Sequence, residues 1–212
     1  MKKVKAVLFD LDGVLVDACD WHYEALNLAL LRVCGRRISR KDHEEKYNGL
    51  PTNVKLDLLK LNENDKKKVW EHKQEYTIDT INKRSHIQQE KIDLFNFLHE
   101  QGLKVICVTN SIRMTAKEML LKTGQLEHID FLCTNEDVVN NKPHPDCYNF
   151  VVQTLDLNPD ECIIVEDSPK GISSAQASLV PDSNIWKVKN SKCVNTENYR
   201  RFVNEHFDSD GG

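Results

Sequence analysis

The sequence has few of the features that mark secreted, membrane-spanning or nucleic-acid-binding proteins. Its seven cysteines include no C-x-x-C pair, which argues against a disulfide framework and against a zinc site. No apolar run approaches the about 20 residues that cross a bilayer. The net charge of -4 gives no basic field to attract nucleic acid or an anionic membrane. We therefore expect a cytoplasmic protein with reduced thiols and with neither a nucleic-acid nor a membrane partner.

The first motif is an apolar segment that ends in two acids. Residues 4–9 form a nearly continuous apolar run, as a parallel strand buried on both faces requires. Asp10 and Asp12 follow, and side chains at i and i+2 of an extended chain point to the same side. Two apposed carboxylates repel each other unless a cation lies between them. We therefore favour a metal site over a strand end with solvated acids.

The order of predicted elements indicates the fold class. After residue 84, strands predicted at 103–108, 129–133, 162–165 and 184–189 alternate with helices predicted at 88–101, 114–122, 146–155, 172–178 and 195–206. Such alternation predicts an α/β fold with a Rossmann-like parallel sheet between two layers of helices. Residues 17–84 show helical patterns only. We expect a core domain of residues 1–16 and 85–212, with residues 17–84 inserted as a helical-bundle cap.

Polar residues gather at the ends of the predicted strands. They are Asp10 and Asp12, Thr109 and Asn110, Lys142, and Glu166 and Asp167. The carboxyl ends of parallel strands share one edge of the sheet, which is where open α/β sheets bind ligands. The sequence therefore predicts that residues far apart along the chain converge on one site.

Each of these groups suits phosphoryl transfer. Asp10 and Asp167 offer the hard oxygen ligands that Mg²⁺ prefers. Backbone N–H groups near Asn110 and Ser111 precede a predicted helix and could cradle a phosphate. Lys142 precedes a proline, which favours an extended conformation, and can present a positive charge to a phosphate.

Each residue also has a simpler interpretation when it is taken alone. Thr109 could cap the following helix, Lys142 could be a solvated lysine, and Glu166 with Asp167 could be a polar loop. All of them together, in this order and at these strand ends, favour the site.

The combination resembles the haloacid dehalogenase-like hydrolase superfamily, in the branch that holds β-phosphoglucomutase and small phosphatases. The four motifs that carry the resemblance are residues 10–17, Thr109-Asn110, residues 142–146 and residues 166–172. The region between the first two motifs resembles the helical cap of that family. The resemblance covers essentially the whole chain.

The resemblance implies a mechanism and a cofactor. Asp10 would attack phosphorus and form an aspartyl-phosphate, while Asp12 would act as general acid and then as general base. Thr109, Asn110 and Lys142 would bind the phosphoryl oxygens, and Ser111 would add a substrate contact. Mg²⁺ would be held by Asp10, by the backbone carbonyl of Asp12 and by Asp167, with Glu166 as a ligand or as a support.

Residues of the predicted cap bear on the choice of substrate. His22 matches a histidine of the mutase, although on a helix among apolar residues it could simply pack. Gly49 matches a substrate-binding glycine, but Asn48 and Thr52 stand where the mutase has a lysine and an arginine. Those basic groups hold the second phosphate of a bisphosphate, so the sequence counts against a mutase.

Three functions therefore remain in order of preference. The first is a Mg²⁺-dependent phosphatase acting on a small phosphorylated metabolite, either a sugar phosphate or a nucleotide-like compound. The second is a β-phosphoglucomutase-like phosphosugar mutase, and the third is a non-catalytic protein that binds phosphorylated metabolites. The acid at Asp12 counts against the third, because binding alone does not need it. The oligomeric state is not readable from the sequence, and we favour a monomer.

Overall fold

A computed structural model of the 212-residue chain describes residues 3–48 and 50–207. Gly49, which the sequence suggests as a substrate contact, lies outside the described residues. Within the described part of the chain, no helix has the length and apolar character needed to cross a membrane.

The core is one parallel sheet in which the strand that precedes Asp10 is central. Its strands are β1 (Ala6–Phe9), β2 (Lys104–Val108), β3 (Phe131–Cys133), β4 (Cys162–Glu166) and β5 (Ile185–Lys187). They lie in the order β3-β2-β1-β4-β5, and all four pairings are parallel. The strand order reverses beside β1, so the crevice for ligands is expected at the carboxyl ends of β1 and its neighbours.

Helices cover both faces of this sheet. The α-helices are α1 (Cys19–Cys34), α2 (Arg40–Asp42), α3 (Thr52–Leu58), α4 (Glu63–Arg84), α5 (Gln89–Glu100), α6 (Arg113–Lys122), α7 (Asp146–Thr154), α8 (Pro169–Gln176) and α9 (Thr196–His206). Alternate side chains of β1 enter opposite apolar clusters: Val7 and Phe9 pack in one, and Ala6 and Leu8 in the other. This two-sided core confirms the three-layer α/β architecture predicted from the apolar runs.

In the described residues between β1 and α5 the regular elements are helices joined by loops, apart from an isolated β-bridge between Asp12 and Val16. Leu26, Leu30, Leu56 and Val69 form an apolar cluster of their own between α1, α3 and α4. Ile81, near the end of α4, instead joins the larger cluster beneath the sheet. The division into core and cap at residues 16 and 84 stays a prediction.

Helix ends follow the expected capping chemistry. Asn62 caps α4, because its side chain accepts a hydrogen bond from the backbone N–H of Asp65. Gly35 ends α1 with a φ of 64°, in the left-handed region that favours glycine.

The cysteines lie as the sequence predicts. Cys107, Cys133 and Cys162 are buried in β2, β3 and β4, and all seven thiols are free. They act as small apolar side chains that pack within the sheet and against it.

Candidate active site

A cavity of about 310 Å³ lies at the carboxyl ends of the central strands, between the sheet and helices α3 and α4. The predicted site residues that line it are Asp10, Asp12, His22, Thr109, Asn110, Ser111, Lys142 and Asp167. Glu166 is fully buried behind Lys142. Every predicted site residue that the structure describes is therefore in the cavity or in contact with a residue that lines it.

Lys142 is the electrostatic centre of the cavity floor. Its Nζ lies 2.7 Å from Oδ1 of Asp10 and 2.7 Å from Oε1 of Glu166, and it donates to the carbonyl of Val108 at 2.9 Å. Burial alone would lower the pKa of Lys142, but the two carboxylates raise it well above its usual value. The side chain is therefore a permanent cation that holds two acids together. The solvated-lysine interpretation is wrong.

Glu166 is fixed by three donors. Its Oε1 accepts the hydroxyl of Tyr148 at 2.7 Å in addition to Lys142, and its Oε2 accepts the backbone N–H of Asp167 at 3.1 Å. Helix α8 approaches this carboxylate so closely that a Cβ on Gly171 would overlap it. A glycine at this position thus allows Glu166 to lie against the first turn of the helix.

Gly171→Ala tests how rigidly Glu166 is held. Helix propensity alone would make alanine more stable by up to about 1 kcal/mol. The added methyl group must displace a carboxylate that three donors fix. We therefore expect the free energy of unfolding, measured by urea denaturation, to fall by about 1–3 kcal/mol instead. Ser173→Ala, on the exposed side of the same helix, is the control and should change stability by less than about 0.5 kcal/mol.

An acidic cluster suited to a divalent cation lies beside Lys142. One carboxylate oxygen each of Asp10, Glu166 and Asp167 lie within 4.8 Å of one another. Oδ1 of Asp167 is buried without a hydrogen-bond partner among the described residues, and burial with the adjacent Glu166 raises the pKa of Asp167 to about 7. A bound cation would satisfy this oxygen and favour its charged form. The cluster therefore fits a metal bound by oxygen ligands.

Gly13 brings the backbone close to this cluster. Its φ is 94°, and a Cβ there would overlap the carboxylate of Asp167. The chain can therefore turn directly after Asp12 and pass beside the acids.

Asp12 is held by donors different from those that hold Asp10. His22 Nε2 lies 2.7 Å from its Oδ1, and the hydroxyl of Ser111 donates to its Oδ2 at 3.0 Å. Burial would raise the pKa of Asp12, but these two partners and Lys73 lower it. The side chain of His22 therefore does more than pack among apolar residues, because it contacts the Asp12 carboxylate directly.

The hydrogen bonds around His22 indicate its tautomer. Burial lowers the pKa of His22, with Asp12 opposing and Lys73 adding to the effect, so the ring is neutral near pH 7. Lys73 Nζ lies 3.4 Å from Nδ1, and an ammonium can only donate. Nδ1 is then the acceptor and Nε2 carries the proton that is donated to Asp12.

The second motif forms the wall next to β2. Thr109 Oγ1 accepts the backbone N–H of Ser111 at 3.0 Å, and Ile112, not Thr109, precedes α6 as its N-cap residue. The helix-cap interpretation of Thr109 is therefore wrong. The side-chain amide of Asn110 is bonded to the backbone N–H and carbonyl of Lys142, so it positions that lysine.

Helices α3 and α4, in the region predicted as the cap, add residues that the sequence analysis did not single out. Lys55 on α3 and Trp70, Lys73 and Gln74 on α4 line the cavity. The sequence does show that Trp70, Lys73 and Gln74 lie on one face of a helix, because they are three and four residues apart. A lysine on a polar helix is ordinarily solvated, so this spacing alone gave no reason to place these residues at the site.

The fold and the cavity define a class of protein: an α/β enzyme whose acidic site, at the carboxyl edge of a parallel sheet, faces inserted helices. The chain belongs to the haloacid dehalogenase-like hydrolases, whose family model matches residues 7–181. This confirms the resemblance seen in the four motifs.

Three similar proteins illustrate the relationship. A phosphorylated carbohydrates phosphatase of Thermotoga maritima is 25% identical, with 82% of each chain covered, and a phosphoglycolate phosphatase of Nitrosococcus oceani is 24% identical over 84% of this chain and 82% of its own. The crystal structure of β-phosphoglucomutase from Clostridium difficile superposes with a TM-score of 0.80 at 24% identity, covering 97% of this chain and 99% of that one. That structural likeness confirms the fold, and the family with its phosphatase relatives confirms the enzyme class as a phosphoric monoester hydrolase.

Proposed function

We propose that the protein is a Mg²⁺-dependent phosphatase that hydrolyses a small phosphorylated metabolite through an aspartyl-phosphate on Asp10. The observation that carries this proposal is the meeting of Asp10, Asp12, Thr109, Lys142 and Asp167 in one cavity from four separated parts of the chain. Binding alone would not require a second carboxylate, Asp12, with its own set of donors.

In the first step Asp10 is the nucleophile. A carboxylate oxygen of Asp10 forms a bond to phosphorus while the bond from phosphorus to the ester oxygen breaks, which splits one difficult displacement into two. Lys142 keeps Asp10 oriented and offsets part of the negative charge that gathers around the phosphoryl group. The hydroxyl of Thr109 and the backbone N–H groups near Ser111 are the proposed contacts of the phosphoryl oxygens.

Asp12 moves the proton in both steps. The free enzyme holds Asp12 as a carboxylate, because His22 and Ser111 donate to it. A bound phosphoryl group adds negative charge nearby and raises the pKa of Asp12, so Asp12 takes up a proton from solvent when substrate binds and gives it to the departing alkoxide. In the second step Asp12 takes a proton from the attacking water, whose oxygen bonds to phosphorus while the bond from phosphorus to Asp10 breaks and inorganic phosphate leaves.

The proposed cofactor is Mg²⁺, held by the carboxylates of Asp10 and Asp167 and by the backbone carbonyl of Asp12, with Glu166 supporting. These ligands are the hard oxygen atoms that Mg²⁺ prefers. When bound, the ion would neutralise charge on the phosphoryl oxygens during the displacement.

The mutase remains the second candidate. Asn48 and Thr52, which replace its basic residues, line the cavity as uncharged side chains. The cap nevertheless offers other cations there, Lys55 and Lys73, so a substrate with a second charged group is compatible with this site.

The proposed function predicts release of inorganic phosphate that depends on a divalent cation. We expect turnover of at least one class in a panel of sugar phosphates and nucleotides with Mg²⁺, and loss of that turnover with a chelator. Equal rates with and without chelator would contradict the metal assignment. Conversion of a sugar phosphate to its isomer after priming with a sugar bisphosphate, without net phosphate release, would favour the mutase. A cytoplasmic location and a monomeric state stay predictions.

A further inference from the structure

Lys55 is a buried amine that has no partner among the described residues of the cavity. Its side chain is 6% exposed and lines the cavity from helix α3. Residues 3–48 and 50–207 offer it neither a hydrogen bond nor an ion pair. Burying an ammonium without a partner costs free energy and favours the neutral amine. An anion that enters the cavity would favour the charged form and gain a strong contact with it.

The charges around Lys55 are mainly positive. Burial, Lys73 and Lys170 together lower the pKa of Lys55 to about 7, and Asp12 opposes them. Lys170 is itself directed at the cap, where its Nζ donates to the backbone carbonyl of Asn48 at 2.6 Å. This wall of the cavity is therefore electropositive, whereas the wall formed by the strand ends is acidic.

The other cavity lysines already have partners. Lys142 lies between Asp10 and Glu166, where two carboxylates more than balance its charge. Lys73 lies 3.4 Å from His22 and thereby supports the contact of that histidine with Asp12. Among the lysines that line the cavity, Lys55 is thus the one that pairs with no described residue of the site.

Resting on the proposed function, we propose that Lys55 binds a second anionic group of the substrate, distant from the phosphoryl group that Asp10 attacks. The substrate class is then a phosphomonoester that carries a further phosphate or carboxylate. Asn48 and Thr52 line the cavity with Lys55 and offer neutral hydrogen-bonding groups to the same end of the substrate.

The test compares three phosphomonoesters that share one alkyl chain and end in a hydroxyl, a carboxylate or a second phosphate, in a series of chain lengths. We expect higher kcat/KM for one anionic end than for the hydroxyl, and the favoured end identifies the group. Lys55→Met should lower kcat/KM for the anionic probe by about 10- to 100-fold. It should leave the hydroxyl probe nearly unchanged.

Two variants serve as controls. Lys55→Arg keeps the charge and should retain part of the preference. Lys68→Met removes a lysine from the exposed face of α4 and should retain all of it. An equal loss for every probe in Lys55→Met, or no preference in the unaltered protein, would overturn the inference.

Calorimetry separates this inference from the proposed function. The probe is an alkyl bisphosphonate, which the enzyme cannot hydrolyse, titrated in the presence of Mg²⁺. Weaker binding to Lys55→Met than to the unaltered protein supports the second anion site even if no ester in the series is turned over. Equal binding to both proteins refutes the site, whatever the phosphatase assays give.

Discussion

Asp10→Asn is expected to lower kcat by roughly 10³- to 10⁶-fold, the range found when an enzyme loses its nucleophile. The amide has the shape of the carboxylate but cannot form the bond to phosphorus. Folding should survive, because Lys142 keeps its contacts with Glu166 and with the carbonyl of Val108. Phosphate release measured with Mg²⁺ tests this expectation, and circular dichroism verifies the fold.

Asp17→Asn is the matched control for Asp10→Asn. It makes the same chemical change in the same motif, on a side chain that is exposed. Its kcat should stay within about twofold of the unaltered protein, because a surface charge has little effect on a screened site. A similar collapse of activity in both variants would show that the assay reports the loss of the fold and not of the nucleophile.

Lys142→Met should have the largest effect on stability. The change leaves Asp10 and Glu166 facing each other without the buried cation that joins them. Breaking a buried ion pair by removing one partner costs about 3–5 kcal/mol, so we expect a loss of this size in urea denaturation. The measurement is made in chelator, so that a bound cation cannot replace the missing charge.

A second variant isolates the electrostatic part of this loss. Combining Lys142→Met with Glu166→Gln removes one of the two unbalanced carboxylates. The double variant should therefore be less destabilised than the sum of the two single variants. Additive losses would mean that packing against Tyr148, whose ring lies 4.7 Å from the Lys142 ammonium, accounts for the effect.

The core of the site is predictable from the sequence because its motif residues come directly after predicted strands. A short apolar run such as residues 4–9 is typical of a buried parallel strand, and the acids that follow it then lie at the carboxyl end of that strand. The same reasoning places Thr109, Lys142 and Asp167 at one edge of the sheet, where the structure has them. Local pattern and tertiary position agree at these residues.

The helical region of residues 17–84 is less predictable, because the sequence of a polar helix gives little information about which of its faces is buried. Lys55 on α3 and Lys73 on α4 resemble the solvated lysines around them in the sequence, and it is the packing of α4 against α1 and α3 that buries them. The contact between His22 and Asp12 depends on the same packing. Tyr148, which donates to Glu166 from α7, could not be separated from an ordinary core tyrosine.

Trapping the intermediate tests the central claim most directly. The enzyme is mixed with Mg²⁺ and a phosphorylated substrate that it turns over, quenched, and treated with borohydride, which reduces an acyl phosphate to an alcohol. Peptide mass spectrometry should then find homoserine at position 10, only when substrate was present and never in Asp10→Asn. Homoserine at Asp12 or at Asp167 instead, or active turnover that leaves every aspartate unreduced, would contradict Asp10 as the nucleophile.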